Sequence, residues 1–147
     1  MNTNDNKETH NEDEIVANCV FCKIIRNDIP AVKIYEDSET LAFLDITPDT
    51  RGHALIIPKN HHENIYSIPV ETWCLMNITA QKIAIAMKNA LSADGINVIM
   101  NNESAAHQII FHGHIHIIPR YNDFQEKKYT YVAGEMEELA KEIQEVI

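Results

Sequence analysis

The segment "FHGHIHIIPR", residues 111–120, places histidines at positions 112, 114 and 116 within an otherwise apolar run. Successive residues of a strand point to opposite faces, so a strand here puts the three imidazoles on one face, roughly 6.6–7 Å apart along the backbone. Burying three imidazoles without polar partners is costly. The row therefore predicts a functional site where several imidazoles converge on a phosphate-sized group. A metal site or hydrogen-bonded core histidines are the alternatives.

The remaining hydrophobic patterns predict an α+β fold with a mostly antiparallel sheet. A short helix, "CKIIRND", ends at Pro30, and a long amphipathic helix lies between Pro69 and Asp94, with Gly95 as its end signal. A second amphipathic helix, "GEMEELAKEIQEVI", closes the chain. Five segments have strand character, the first two forming a hairpin: "AVKIYED", "TLAFLDI", "GHALIIPK", "INVIMN" and "QIIFHGHIHII".

Length and charge limit the class of protein. The chain has 147 residues, enough for one domain, which we place at residues 15–147 after a polar, acidic and disordered tail over residues 1–14. A net charge of −10 argues against a nucleic-acid polymer as partner. No apolar run reaches the roughly 18 residues of a membrane span, and the N-terminal segment lacks the apolar core of a signal peptide. We therefore expect a cytoplasmic protein that does not bind membranes.

Two local patterns suggest binding chemistry. Cys19 and Cys22 form a C-x-x-C pair apart from Cys74, and this odd count argues against a disulfide framework. The pair is a metal knuckle, a redox motif or incidental. In "LAFLDI", Phe43 and Asp45 share a face. This pair suits a nucleoside, with the base stacked on the aromatic ring and the carboxylate accepting hydrogen bonds from the ribose hydroxyls. Ordinary core packing is the alternative for Phe43, whereas a strand interior disfavours aspartate.

The motif "HGHIHII" resembles the His-φ-His-φ-His-φ-φ signature of the histidine triad (HIT) family of nucleotide hydrolases and transferases, with Gly113 in a position that is usually apolar. The segments "CVFCKIIRNDIPAVKIYEDSETLAFLDITPDTRGHALIIPKNHHENI" and "NVIMNNESAAHQIIFHGHIHIIPR" are similar to the two halves of that family, over about residues 18–121. The zinc-containing bacterial branch, related to the purine nucleoside phosphoramidases, is the most similar. The resemblance implies the histidine-triad fold: a mostly antiparallel five-stranded sheet, one long helix, and shorter N- and C-terminal helices. It also implies a homodimer.

The resemblance implies a role for each matching residue. His114 would attack the α-phosphorus of a nucleoside monophosphate derivative, His116 would contact the phosphate or assist the leaving group, and His53 would join them. Without the resemblance, we would predict a structural role for His53. Nucleotide contacts would come from Phe21, Ile24, Ile29, Phe43, Asp45, Asn101 and Gln108. A structural zinc ion would be held by Cys19, Cys22, His61 and His112; the alternative is free cysteines with His61 on the surface.

The loop "NNESAAHQ" departs from the family pattern. Glu103 and His107 stand where many members carry glycine, and Ile109 stands where a hydroxyl residue often serves the leaving group. We predict a hydrolase of nucleoside phosphoramidates, most simply of adenosine, acting through a covalent nucleotidyl-histidine. Glu103 near the pocket would repel a second phosphate and favour an amine leaving group. The alternatives are a dinucleoside polyphosphate hydrolase, a weakly catalytic nucleotide-binding partner protein, and an enzyme with a catalytic metal.

Overall fold

The computed structural model describes the backbone of residues 5–123 and 128–147, and the side chains of residues 12–123 and 128–147. Its helices and strands are α1 (Asp5–Asn18), α2 (Val20–Ile25), β1 (Lys33–Glu36), β2 (Thr40–Leu44), β3 (Ala54–Pro58), α3 (Val70–Leu91), β4 (Gly95–Ile99), β5 (Ile115–Arg120) and α4 (Glu135–Gln144). The strands form one sheet in the order β1-β2-β3-β5-β4, and every neighbouring pair is antiparallel. The predicted α+β fold, with five strands, one long helix and a C-terminal helix, is confirmed.

The sheet has two differently covered faces because side chains alternate along each strand. One face packs against α3 and α4 in the main core, where Ile56 of β3, Ile83 of α3 and Leu139 of α4 are fully buried. The opposite face carries a smaller apolar cluster under α2. Its buried members are Phe21, Ile24, Leu41, Phe43, Leu55 and Ile57. This second face holds the candidate site.

The long helix ends before the glycine that was expected to stop it. Helix α3 finishes at Leu91, and Ser92 takes the left-handed conformation at φ 51°. Gly95 instead begins β4, opposite Arg120. The Lys88 ammonium donates to the Ala93 carbonyl at 2.7 Å just beyond the helix, which helps a non-glycine residue terminate it. Although α3 has 22 residues, no helix in the described ranges is both long and apolar enough to cross a bilayer.

The histidine segment enters the sheet later than predicted. The alternation predicts a strand over residues 108–118, but β5 begins at Ile115, so only His116 of the three lies within the paired strand. The preceding residues are held from the side, where the Gly113 N–H donates to the His62 carbonyl at 2.7 Å. A Cβ on Gly113 would lie 2.9 Å from Ile68 Cδ1 and 3.1 Å from Met100 Cε, so a side chain at this position would require those two side-chain ends to shift.

The N-terminal region also differs from expectation. Helix α1 covers Asp5–Asn18, where a disordered tail was expected as far as residue 14, and it packs against α2. Residues 1–18 contain neither glycine nor proline, the two residues that disfavour helix most. Residues 1–4 lie outside the described residues, and the boundary of the single domain stays a prediction.

Candidate active site and metal centre

The three histidines of the row lie side by side on the α2 face, as the alternation predicts. The Phe21 ring contacts both His112 and His114 edge-on, with centroids 5.8 and 5.2 Å away. The rings of His114 and His116 are 4.9 Å apart. Helix α2 therefore positions the row through one aromatic side chain, and each imidazole has different neighbours beyond it.

His112 faces the two cysteines. Its Nε2 lies 2.8 Å from the Pro58 carbonyl oxygen, which can only accept, so Nε2 carries the hydrogen. Burial lowers the pKa of His112 to about 4, so the ring is neutral at pH 7. Its Nδ1 keeps a lone pair and lies 3.4 Å from Cys19 Sγ and 3.5 Å from Cys22 Sγ. This imidazole is oriented as a metal ligand is.

A cluster of four candidate ligands forms around that nitrogen. His61 Nδ1 is 3.4 Å from Cys22 Sγ, and the donor atoms of Cys19, Cys22, His61 and His112 all lie within 4.8 Å of one another. Zinc bond lengths of about 2.3 Å to sulfur and 2.0–2.1 Å to nitrogen give sulfur–nitrogen edges of roughly 3.5 Å in a tetrahedron. Burial, reinforced by Cys19, raises the pKa of Cys22 to about 12, so a thiolate here needs a cation beside it. The donor set and its spacing fit a zinc ion.

His114 presents the opposite nitrogen. Its Nδ1 lies 2.8 Å from the His112 carbonyl oxygen and must donate to it, which leaves the lone pair on Nε2. Burial lowers the pKa of His114, so the ring is neutral and its Nε2 is nucleophilic at pH 7. The side chain lines the cavity of the α2 face.

His116 belongs to a short hydrogen-bond chain. The Asp49 N–H donates to His53 Nδ1 at 3.0 Å, so the His53 proton is on Nε2, which donates to His116 Nδ1 at 2.9 Å. Burial lowers the pKa of both histidines, and both are neutral at pH 7. His116 therefore carries its hydrogen on Nε2. An Asp45 carboxylate oxygen lies 3.7 Å from His53 Nε2. Asp45, His53 and His116 are therefore close enough to share a metal, but the hydrogen bond between the two histidines already accounts for their proximity.

The row borders a cavity of about 550 Å³. Asp45 follows β2 directly instead of lying inside it, and its Oδ1 accepts from the Thr47 N–H at 2.9 Å and from the Thr47 hydroxyl at 3.1 Å. The Phe21 and Phe43 rings meet edge to face at 5.5 Å. Most of the residues predicted for catalysis and nucleotide contact line the cavity together: Phe21, Ile24, Ile29, Phe43, Asp45, His53, Asn101, His114 and His116.

Gln108 was predicted to contact the nucleotide, but it is not among the described residues that line the cavity. Its Oε1 accepts from the Glu103 N–H at 2.7 Å, and its Nε2 donates to the carbonyls of Glu63 and Ile110 at 2.7 and 3.0 Å. The amide is buried and fully used by backbone groups. The geometry favours a positioning role for Gln108 in the loop before the histidine row.

The two loop residues that replace glycine have the backbone conformation that glycine favours. Glu103 has φ 71° and ψ 160°, a region that is nearly exclusive to glycine, and His107 has φ 68°. His107 and Ile109 line the cavity, whereas Glu103 is exposed and is not part of the described lining. The expected repulsion by Glu103 inside the pocket therefore has no geometric support.

Residues 128–135, which follow the last strand, also border the site. No motif in the sequence indicated a role for them. The Gly52 N–H donates to the Tyr131 hydroxyl at 2.8 Å, and Arg51 Nε pairs with Glu135 at 3.0 Å. These bonds tie residues 129–135 to the loop immediately before His53. Lys128, at the start of this segment, lines the cavity. The contacts are distant in sequence, so no local pattern could have indicated them.

The fold and site together define a small α+β protein with a ligand cavity beside a row of neutral imidazoles and a Cys/His cluster. The HIT domain matches residues 26–123, and the chain belongs to that family. The adenosine 5'-monophosphoramidase hnt1 of Schizosaccharomyces pombe is 41% identical over 105 residues, 71% of this chain and 76% of the relative. The adenylylsulfatase HINT3 of Arabidopsis thaliana is 46% identical over 102 residues, 69% of this chain and 52% of that protein.

A solved structure agrees with both the fold and the metal cluster. The Zn-bound histidine triad family protein from Mycobacterium smegmatis has a TM-score of 0.81 and 39% sequence identity, covering 89% of this chain and 94% of the other. Together with the four converging donors, this neighbour supports the zinc-containing branch of the family.

Proposed function

We propose that this protein hydrolyses nucleoside phosphoramidates, adenosine derivatives foremost, through a covalent bond between His114 Nε2 and the α-phosphorus. The observation that carries the proposal is the orientation of His114, a buried neutral imidazole whose Nδ1–H is fixed by the His112 carbonyl and whose Nε2 is free in a nucleotide-sized cavity. The hydrolase names of relatives that are more than 40% identical support the same chemistry.

The cavity divides the substrate by chemical character. The Phe21–Phe43 pair, with Ile24 and Ile29, offers an apolar slot for the base. Asp45, held by Thr47, accepts hydrogen bonds from the ribose hydroxyls. This arrangement brings the phosphate to the row of imidazoles.

His114 Nε2 forms a bond to phosphorus while the phosphorus–nitrogen bond of the substrate breaks, and the amine leaves with that electron pair and one proton from solvent. The His116 Nε2–H, fixed by the chain from Asp49 through His53, hydrogen-bonds to the phosphoryl oxygen. Water then attacks phosphorus, the bond to His114 breaks, and one proton returns to solvent. The products are the nucleoside monophosphate and the free amine.

We propose further that Cys19, Cys22, His61 and His112 hold a structural zinc ion. When bound, the ion would connect α2, the segment after β3 and the start of the histidine row. Its role would be structural, as a cross-link between these three parts of the chain. His114 aims its free nitrogen at the cavity while His112 aims Nδ1 at the cysteines, which supports a metal outside the reaction. The Nε2–H of His112, bonded to Pro58, is the outer hydrogen bond typical of a metal-bound histidine.

We also propose a homodimer formed through β4. This strand is an edge of the sheet, and its side chains Val98 and Ile99 are exposed. An exposed apolar edge strand needs cover, and pairing with a second copy supplies it.

Turnover of adenosine 5'-monophosphoramidate by a His114→Asn variant tests the proposal. Loss of the nucleophile should lower kcat by about 10⁴-fold or more, while the affinity for adenosine monophosphate, measured by calorimetry, stays within about threefold. His62→Asn is the matched control, since His62 belongs neither to the cavity lining nor to the metal cluster. Unchanged turnover in His114→Asn would refute the mechanism. Nucleotide binding by a wild-type protein that turns over none of the nucleotide derivatives would favour a binding protein instead.

A further inference from the structure

The hydrogen-bond chain that orients His116 begins in a loop. Its first donor is the Asp49 N–H, which fixes the tautomer of His53, and His53 in turn donates to His116. Asp49 lies in the connection between β2 and β3, residues 45–53, and connections are ordinarily more mobile than the strands they join. A main-chain N–H orients an imidazole only while its own backbone stays in place. The loop therefore has to be held against the strand that carries His116.

Thr50, the residue after Asp49, supplies this attachment. Its hydroxyl donates to the Pro119 carbonyl at 2.7 Å, and Pro119 lies in β5 three residues after His116. The Thr50 carbonyl accepts from the His53 N–H at 3.1 Å and closes a turn in which Gly52 has φ 94°. One residue thus connects the loop both to β5 and to the main chain of His53.

The Pro119 carbonyl is available because of where the strands end. The Arg120 carbonyl accepts from the Asp94 N–H at 2.9 Å, on the β4 side of β5. Successive carbonyls of a strand point to opposite sides, so the Pro119 carbonyl points to the β3 side. Strand β3 begins only at Ala54, which lies opposite a residue nearer the start of β5. The Thr50 hydroxyl therefore takes the place of a ladder donor at this end of the sheet.

Arg120 adds a second, weaker link between the same two parts of the chain. Its Nη2 lies 3.9 Å from an Asp49 carboxylate oxygen, and its Nε donates to the Asn97 side chain on β4 at 2.7 Å. The side chains of Arg120 and Asp49 are both partly exposed, so the ion pair contributes little. The short, neutral bond from Thr50 is the main attachment of the loop to β5.

Resting on the proposed function, we infer that Thr50 is a positioning residue: its hydroxyl keeps the Asp49 N–H on His53 Nδ1 and thereby directs the His53 Nε2–H to His116. Thr50 is not among the described residues that line the cavity, so it acts through His53 and not on the substrate. Without the attachment, His53 can carry its hydrogen on either nitrogen. In the reversed arrangement His116 holds its hydrogen on Nδ1 and turns a lone pair toward the phosphoryl oxygen.

Thr50→Val tests this inference, because it removes the hydroxyl and keeps the shape of the side chain. We expect kcat to fall by about five- to tenfold, as for one lost hydrogen bond, with KM within about twofold, because the base slot and Asp45 are unchanged. Thr50→Ser keeps the hydroxyl and should restore kcat to within about twofold of wild type. Nitrogen-15 NMR of the imidazoles, with His53 assigned from the spectrum of His53→Asn, should show His53 protonated on Nε2 in the wild-type protein and a mixture of tautomers in Thr50→Val.

Thr79→Val is the matched control. It removes a hydroxyl from the buried Thr40–Thr79 hydrogen bond, 2.8 Å long, on the face of the sheet away from the cavity. This variant should lose stability but keep both kcat and the His53 tautomer. If Thr50→Val loses no more activity than Thr79→Val, or loses activity while His53 stays protonated on Nε2, the inference is overturned. If the wild-type protein hydrolyses no phosphoramidate but Thr50→Val still mixes the tautomers, the proposed function fails and the control of His53 by Thr50 stands.

Discussion

His112 and His114 lie two residues apart and are both buried, yet they present opposite nitrogen atoms to their surroundings. His112 donates from Nε2 to the Pro58 carbonyl and turns Nδ1 toward the cysteines. His114 donates from Nδ1 to the His112 carbonyl and keeps Nε2 free in the cavity. A single carbonyl partner in each case fixes the tautomer, and the tautomer decides whether the imidazole is suited to a metal or to phosphorus. Substitutions at the two positions should therefore have different consequences.

The largest expected effect is a difference in stability between the two positions. His112→Asn removes a proposed zinc ligand and should lower the free energy of unfolding of the zinc-loaded protein by about 4 kcal/mol or more, with loss of bound zinc. His114→Asn removes one hydrogen bond and should cost about 1 kcal/mol with zinc retained. Denaturant unfolding and elemental analysis measure both quantities. If the two variants lost the same amount of stability and of zinc, His112 and His114 would not have separate roles.

The hydrogen-bond chain that orients His116 should have the next largest effect. His53→Asn removes the donor to His116 Nδ1, so the His116 tautomer is no longer fixed. Leaving the buried Nδ1 of His116 without its partner costs about 1–3 kcal/mol, which corresponds to a fall in kcat/KM of roughly 5- to 150-fold. Steady-state kinetics on the phosphoramidate would show it, and full activity in this variant would mean that His116 needs no such support.

Acid should destabilise the wild-type protein more than the His114→Asn variant. The folded-state pKa of His114 lies below its ordinary 6.5, so the unfolded chain binds more protons as the pH falls through 6.5, and stability declines. The wild-type protein should lose up to about 1.4 kcal/mol per pH unit more than His114→Asn in this range. Urea unfolding of both zinc-loaded proteins between pH 7 and 5 measures the difference. Parallel curves would contradict a buried, neutral His114.

The smallest expected effect concerns the strained loop beside the cavity. Glu103→Gly should raise the free energy of unfolding by about 1 kcal/mol, because glycine adopts this positive φ without strain. Ser104→Gly, in the adjoining 3₁₀ helix Ser104–Ala106, is the control and should be neutral or destabilising. If Glu103→Gly destabilises the protein, interactions of the glutamate outweigh its backbone strain.

Local patterns predicted the common face of the histidine row, because alternation depends only on neighbouring residues. They also identified the amphipathic helices and the shared face of Phe43 and Asp45, whereas the other predicted residues of the cavity followed from the resemblance to the family. The start of β5 at Ile115 was not predicted because it depends on the hydrogen bond between Gly113 and His62, which are 51 residues apart in the sequence. The three backbone partners of Gln108 are likewise visible only in the folded chain, and its contact with a nucleotide stays a prediction.

Residues 128–135 show the same limit more strongly. Their sequence carries no recognisable motif, and their importance comes from contacts with Arg51 and Gly52 across the fold. The resemblance to the family ends near residue 121, so it could assign these residues no role. The wall of the cavity that Lys128 forms is therefore the part least accessible to sequence reasoning.

The central claim is that His114 Nε2 forms a bond to phosphorus. Rapid mixing of the protein with adenosine phosphoramidate, neutral quenching and intact-mass analysis followed by peptide mapping would test it most directly. The account predicts a transient mass increase of one adenylyl group located on His114 and absent from His114→Asn. An adenylyl group on another residue, or turnover with no covalent adduct at any time, would contradict it.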